Sequence, residues 1–310
     1  MDIVLTGTPG TLRAVVERLV TAVAEEAGIS APTLHWQDPS QGDPGFFEAF
    51  RASEGLGVIV VGEATASLAD LIADGHTLQI AGQVLSAAAA RLVAWHACRP
   101  VCLHATMSVA LACRMLMDRI GQGRPEPVYA ATGWDPNARL GDIADASGKL
   151  EIGADLFAEI RQLSAEMVGP MFERALAGVG QPIRWSRSCL FWGDHPDQRL
   201  PRILDLTGPA RVIAYGPYFH LPVSRWTVRA TLAFSPAAAG ALMAVELHGE
   251  DLLGRGKFVA PAAGVFIASF AAQTTTADVP VEIRLVLETG AIEGECGVGH
   301  VDLVPDAGYA

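Results

Sequence analysis

Asp2-Ile3-Val4-Leu5-Thr6-Gly7-Thr8-Pro9-Gly10-Thr11-Leu12-Arg13 decides how the first half of this chain is read. A short apolar run passes through a Gly-Thr-Pro-Gly turn. It then enters a segment in which Leu12, Val15, Val16, Leu19, Val20 and Val23 recur at helical spacing. Strand, glycine turn and helix in that order open an α/β domain, and backbone N–H groups at the start of such a helix suit a phosphate. Two readings of the turn compete, a plain strand-to-helix connection and an anion cradle. On the second, Gly7, Thr8, Gly10, Thr11 and Arg13 are the cofactor-binding candidates.

Working outward, Gly28 stops the first helix, and Thr33-Leu34-His35-Trp36 reads as a second strand. A short helix is expected at Phe46–Ala52. Gly57-Val58-Ile59-Val60-Val61-Gly62 then has the near-continuous apolar content of a parallel strand covered on both faces. A helix from Leu78 to Ala97, a strand at Val101–His104 and a helix from Ser108 to Ile120 follow. Alternation of this kind predicts a doubly wound parallel sheet. Pro125, Pro127, Gly133 and Pro136 read as a loop or linker. Two helical segments, Asp155–Met167 and Met171–Leu176, are separated by Gly169-Pro170. Glu63 and His104 each end or follow a strand, at the carboxyl edge where α/β sites collect, and are the candidate catalytic residues.

From about residue 181 the pattern becomes all-β, so the expected domains are 1–180 and 181–310. Trp226, Val228, Ala230, Leu232 and Phe234 alternate with mostly polar residues, as in a half-buried antiparallel strand. Strands are expected at Leu242–Leu247, Lys257–Ala260, Gly264–Ala271, Val281–Glu288 and Glu295–Leu303. Gly216 to Pro222 reads as a turn-rich rim. Such spacing predicts an antiparallel β-sandwich. Trp185 to Pro196 holds two tryptophans, an Arg, an Asp and a His. That mixture either anchors the sandwich or offers a ring and planar polar groups to a ligand.

Composition narrows the classes. A formal charge of −12 argues against nucleic acid as the partner. No apolar run is long enough for a membrane helix, so no membrane insertion is expected. The start lacks a leader pattern and the five scattered cysteines form no paired framework, so the expected location is cytoplasmic. The only lysines are Lys149 and Lys257, far in sequence from the glycine turn. No metal-ligand spacing and no nucleophile elbow is present, so no metal is expected.

Leu5 to Leu12 resembles the 5′-phosphosulfate loop of the sulfotransferase family, and Val101 to Arg114 resembles its second motif. In that motif an Arg and a Ser hold the cofactor's 3′-phosphate; here His104 and Ala112 stand at those positions, and Ala105-Thr106 replaces the charged residue and Pro. The first loop lacks the family's basic residue and Ser. The resemblance implies a P-loop sulfotransferase-like α/β scaffold with a degenerate nucleotide loop, because each lost charge-assisted donor forfeits about 1.5–3 kcal/mol. No cofactor is then expected, and adenosine phosphosulfate enters only if the chain is an active transferase.

Tyr215-Gly216-Pro217-Tyr218, Leu221-Pro222 and Trp226, in a strand-rich half, resemble the carbohydrate-binding modules of glycan-active enzymes. That resemblance implies a jelly-roll sandwich with a glycan or small polar ligand. Trp185, Arg187, Trp192, Tyr218 and His220 are the ligand-binding candidates. The leading expectation is a non-catalytic glycan-binding or accessory protein of surface-polysaccharide handling. The alternatives are an active sulfo- or phosphoryl transferase acting on a carbohydrate, and a structural or assembly protein that forms homo-oligomers.

Overall fold

The computed structural model describes residues 2–29, 32–37, 39, 56–95, 99–121, 123–145, 153–177 and 181–306. The helix expected at Phe46–Ala52, with His96 and Cys98, lies outside the described residues. The chain divides into two compact units, Met1–Gly178 and Val179–Ala310.

The N-terminal unit is built on β1 (Asp2–Gly7), β2 (Thr33–Gln37), β3 (Leu56–Val61) and β4 (Val101–His104), all parallel, in the order β2-β1-β3-β4. Flavodoxin-like doubly wound sheets share this order, and their ligand crevice opens between β1 and β3, where the winding reverses. The helices are α1 (Leu12–Glu26), α2 (Ala64–Ala73), α3 (Leu78–Trp95), α4 (Val109–Ile120), α5 (Pro125–Thr132), α6 (Leu140–Asp145), α7 (Ala154–Leu163) and α8 (Gly169–Ala177). Ile3, Leu5, Val58, Val60, Val101 and Leu103 form one core with the buried side chains of α1 and α4. Residues α3 and α8 bring to β1 and β3 cover the remaining side. Every residue of β3 is consequently buried.

Two expectations for this unit are corrected. The loop read over Pro125 to Gly133 is helix α5. Proline is tolerated in a first helical turn, whose N–H groups have no intrahelical acceptor. Gly133, at φ 71°, ends the helix in the left-handed conformation. No break occurs at Gly169-Pro170 either: a π-helical turn, Ser164–Val168, carries α7 into α8. A Cβ on Gly169 would lie 2.8 Å from the Ser164 carbonyl oxygen, so the tight join needs glycine.

The C-terminal unit contains β5 (Ile183–Ser186), β6 (Phe191–Trp192), β7 (His195–Arg199), β8 (Leu204–Asp205), β9 (Arg211–His220) and β10 (Ser224–Phe234). It continues with β11 (Leu242–His248), β12 (Leu252–Val259), β13 (Gly264–Thr274), β14 (Pro280–Leu287) and β15 (Glu295–Pro305). One antiparallel sheet runs β13-β10-β15-β5 with β8 beside β15; the other runs β12-β11-β14-β9-β6-β7. Alternation sends Trp226, Val228, Ala230, Leu232 and Phe234 of the first sheet inward, with Met243, Val245, Leu247, Ile283, Leu285 and Leu287 of the second. Trp185 of β5 meets Phe219 of β9 edge to face at 6.3 Å, and Phe234 of β10 lies 6.1 Å from Phe258 of β12. The two sheets thus close a sandwich core.

The rim expected over Gly216 to Pro222 is corrected. β9 runs on through Gly216, Pro217 and Tyr218 to His220 and pairs with β14 along its length. A bulge absorbs the Gly-Pro step: Phe219 faces Val281 and Pro217 faces Glu282, which leaves Tyr218 as the extra residue.

Candidate functional site

In the N-terminal unit the turn is occupied by the protein itself. Asp70, on α2, accepts the Thr11 backbone N–H at 3.0 Å and lies 3.4 Å from the Thr11 hydroxyl. A Cβ on Gly10, whose φ is 139°, would sit 2.9 Å from that same carboxylate oxygen. The buried Thr8 hydroxyl accepts the Gly62 N–H at 2.8 Å, tying the β1 turn to the end of β3. What remains of the β1–β3 crevice is about 20 Å³, room for a single water. Gly7 packs against the Val60 carbonyl, where no Cβ would fit.

Arg13 lines the same cavity as the turn but is engaged by its own neighbours. Its Nε donates to Glu17 at 2.8 Å, and its guanidinium lies 4.4 Å over the Trp36 ring. A cavity of about 510 Å³ adjoins the turn, lined by Gly10, Arg13, Trp36, Asp70 and Asp74 among others. Two carboxylates facing one already paired guanidinium make a poor electrostatic seat for a phosphosulfate.

The two candidate catalytic residues do come together. Val61 and His104 are register partners on β3 and β4, and Glu63 follows Val61 as the N-cap residue of α2. His104 Nδ1 accepts the Thr106 N–H at 3.3 Å and lies 2.7 Å from the Thr106 hydroxyl. The neutral ring on this geometry carries its proton on Nε2. Burial pushes the imidazole below its ordinary pKa, while the negative charges of Glu63 and Glu173 pull it back up. Glu173, from α8, is the residue of this group that sequence reasoning missed.

In the C-terminal unit the outward face of the six-stranded sheet carries a second group. Phe191 and Tyr215 are cross-strand partners whose rings stack at 5.6 Å, and Tyr218 meets Tyr215 edge to face at 6.1 Å. Tyr218 holds a left-handed backbone, φ 65°, as a bulged residue that re-aims its side chain. Beside it lies Glu282, 6% exposed, whose Oε1 accepts Arg284 Nε at 2.7 Å. Oε2 of Glu282 is buried with no hydrogen-bond partner among the described residues. Burial, then the neighbouring Glu282 carboxylate, push the Tyr218 phenol above its ordinary pKa.

The charged side chains beyond Arg284 pair with one another. Arg255 Nε meets Glu246 Oε1 at 2.9 Å, His248 Nε2 meets Glu246 Oε2 at 2.8 Å, and Lys257 Nζ meets Glu288 at 2.8 Å. Arg255 also reaches Glu288, and the hydrogen bonds from Lys257 and Arg255 hold that carboxyl below its usual range.

The other ligand candidates do not join this face. Trp185 is fully buried in the sandwich core, so it has no ring face to offer a ligand and serves as an anchor. Arg187 donates to the Leu200 carbonyl at 3.1 Å and ties down its own loop. Trp192 packs 4.1 Å from the His195 ring. His220 is held at Nδ1 by the Ala277 carbonyl at 2.8 Å, at the far end of β9. Only Tyr218 of the five sits among the outward aromatic and charged residues. Phe191, Tyr215, Glu282 and Arg284 are not among the ligand-binding candidates of the sequence, although the alternation of Val281 to Leu287 already turns Glu282 and Arg284 outward.

No protein-family model matches the chain, and neither does any curated protein sequence. Among solved structures it is similar to a family 36 carbohydrate-binding module in complex with calcium and xylotriose, at 16% identity, covering 32% of this chain and 77% of that one, with a TM-score of 0.23. It is also similar to the C-terminal family 6 carbohydrate-binding module of LamC, a marine laminarinase from Zobellia galactanivorans, at 10% identity, covering 40% of this chain and 99% of that one, with a TM-score of 0.27. The fold and the two groups of residues described above stand on their own geometry.

Proposed function

We propose that the C-terminal unit binds carbohydrate, and that the chain is a glycan-binding or accessory protein whose N-terminal turn holds no nucleotide. The observation that carries this reading is the outward Phe191–Tyr215–Tyr218 group set against the Arg284–Glu282 pair. A sugar has an apolar C–H face that stacks on aromatic rings and hydroxyls that pair with planar polar groups, and both kinds of partner are supplied side by side. Calorimetry against a panel of neutral and acidic oligosaccharides tests it. Binding to at least one member, weakened in Tyr218→Ala and in Phe191→Ala, supports the reading; no binding, or inert variants, ends it.

A second reading, group transfer by the N-terminal unit, is favoured by the Glu63–His104–Glu173 group alone. There Glu63 would take a proton from an acceptor hydroxyl and His104 Nε2–H would steady the developing charge. Transfer of labelled sulfate from adenosine phosphosulfate to a sugar acceptor, abolished in His104→Gln, is the corresponding measurement.

A further inference from the structure

The register of the six-stranded sheet lines up one residue from each strand. Arg199 faces Phe191, Phe191 faces Tyr215, Tyr215 faces Arg284, Arg284 faces Glu246, and Glu246 faces Arg255. Direct cross-strand partners share a face, so these six side chains form a single row perpendicular to the strands. Its inward neighbours Val245, Ile283 and Leu285 are buried in the core, which fixes the row as outward. From Phe191 on β6 to Arg255 on β12 are four strand spacings, about 19 Å at ~4.8 Å each.

We infer that this row is a track for an internal segment of an extended, uncharged polysaccharide lying across the strands; the inference rests on the carbohydrate reading above. The length fits about four linked sugar rings at the strand spacing. One end of the row offers stacking surfaces and the other offers guanidinium and carboxylate edges, the two kinds of group that successive rings of one chain meet in turn. The charge pattern selects a neutral chain. Arg255, Lys257 and Arg284 are matched by Glu246, Glu282 and Glu288, each pair in contact, so this face is balanced on a chain whose formal charge is −12. A polyanion would have to displace those carboxylates before gaining Arg284 or Arg255.

The test is calorimetry on the intact chain with linear neutral gluco- and xylo-oligosaccharides of increasing length from the disaccharide, and with a hexameric galacturonate. A track predicts affinity rising about tenfold or more between disaccharide and tetrasaccharide, little changed by salt. Arg255→Ala should weaken the hexasaccharide about fivefold and leave the disaccharide unchanged, while Tyr218→Ala weakens both. Should Arg255→Ala lower the melting temperature, Glu246→Gln, which keeps the side-chain shape, replaces it. Affinity that does not grow with length, tighter binding of the galacturonate, or a hexasaccharide indifferent to both variants at the far end overturns the track while leaving carbohydrate binding intact. Absence of binding at every length removes the carbohydrate reading itself, and the track with it.

Discussion

The Asp70 carboxylate caps the backbone N–H of Thr11 at 3.0 Å, across 59 residues of sequence. Helix α1 has no side-chain cap of its own, so Asp70 meets both its orphan amide and the positive end of its dipole. Asp70→Ala should cost about 0.5–2 kcal/mol of stability, the range for a lost cap, and Asp70→Asn less. Thermal melts read this directly. Adenosine phosphosulfate should leave the wild-type melting temperature unmoved, and a clear rise would show that the cofactor displaces Asp70.

His104 should titrate below its ordinary value of 6.5, because burial disfavours the imidazolium more than Glu63 and Glu173 favour it. A depressed folded pKa means that this residue's contribution to stability is present above the unfolded value. It is lost as pH falls from 6.5 through the folded value. An NMR titration of the His104 ring follows the midpoint. Glu63→Gln removes one upward pull and should lower it further; a midpoint that rises or stays put would separate the two residues.

Two thiols should resist alkylation in the native state. Burial lifts Cys113 to about 11, with Glu126 adding to it, and lifts Cys296 to about 12. An unfolded chain ionises its thiols from about 8.5 and so releases protons that the folded chain keeps. Stability should therefore decline as pH rises from that point towards the folded values. Iodoacetamide labelling read by intact mass at pH near 9 should leave both unmodified until denaturant is added, and native labelling at the rate of a free thiol would contradict their burial.

Tyr218 keeps a left-handed backbone that costs a non-glycine residue about 1–2 kcal/mol. Tyr218→Gly and Tyr218→Ala lose the same ring, but only the first relieves the backbone. The glycine variant should be the more stable by about 1 kcal/mol in urea unfolding. Both should lose oligosaccharide affinity equally, and a glycine variant that unfolds first would mean that the bulge is not strained.

The parts of this molecule legible in its sequence are those whose pattern is local. Gly57 to Val61 reads as a strand covered on both sides, and β10 alternates without exception; the apolar stripe from Leu12 to Val23 likewise marks α1. Glycine and proline misled where tertiary structure absorbs them. α5 begins on prolines, and β9 passes through Gly216-Pro217 because a bulge takes up the step. The candidate sites were least legible. Asp70 reaches Thr11 only once α2 is placed, and the alignment of Phe191, Tyr215, Arg284, Glu246 and Arg255 depends on register, which no single segment encodes.

Along β11 and β14 the core-facing Met243, Val245, Leu247, Ile283, Leu285 and Leu287 are all buried, while Glu246, His248, Arg284 and Val286 between them are partly exposed. A substitution at Glu246 or Arg284 therefore changes the surface while Val245, Leu247, Ile283 and Leu285 keep the core as it is. Folding and recognition are written on opposite sides of the same strands. Such a sheet can drift from one ligand to another by single codon changes at its outward positions, and an experimenter can retarget it by the same route.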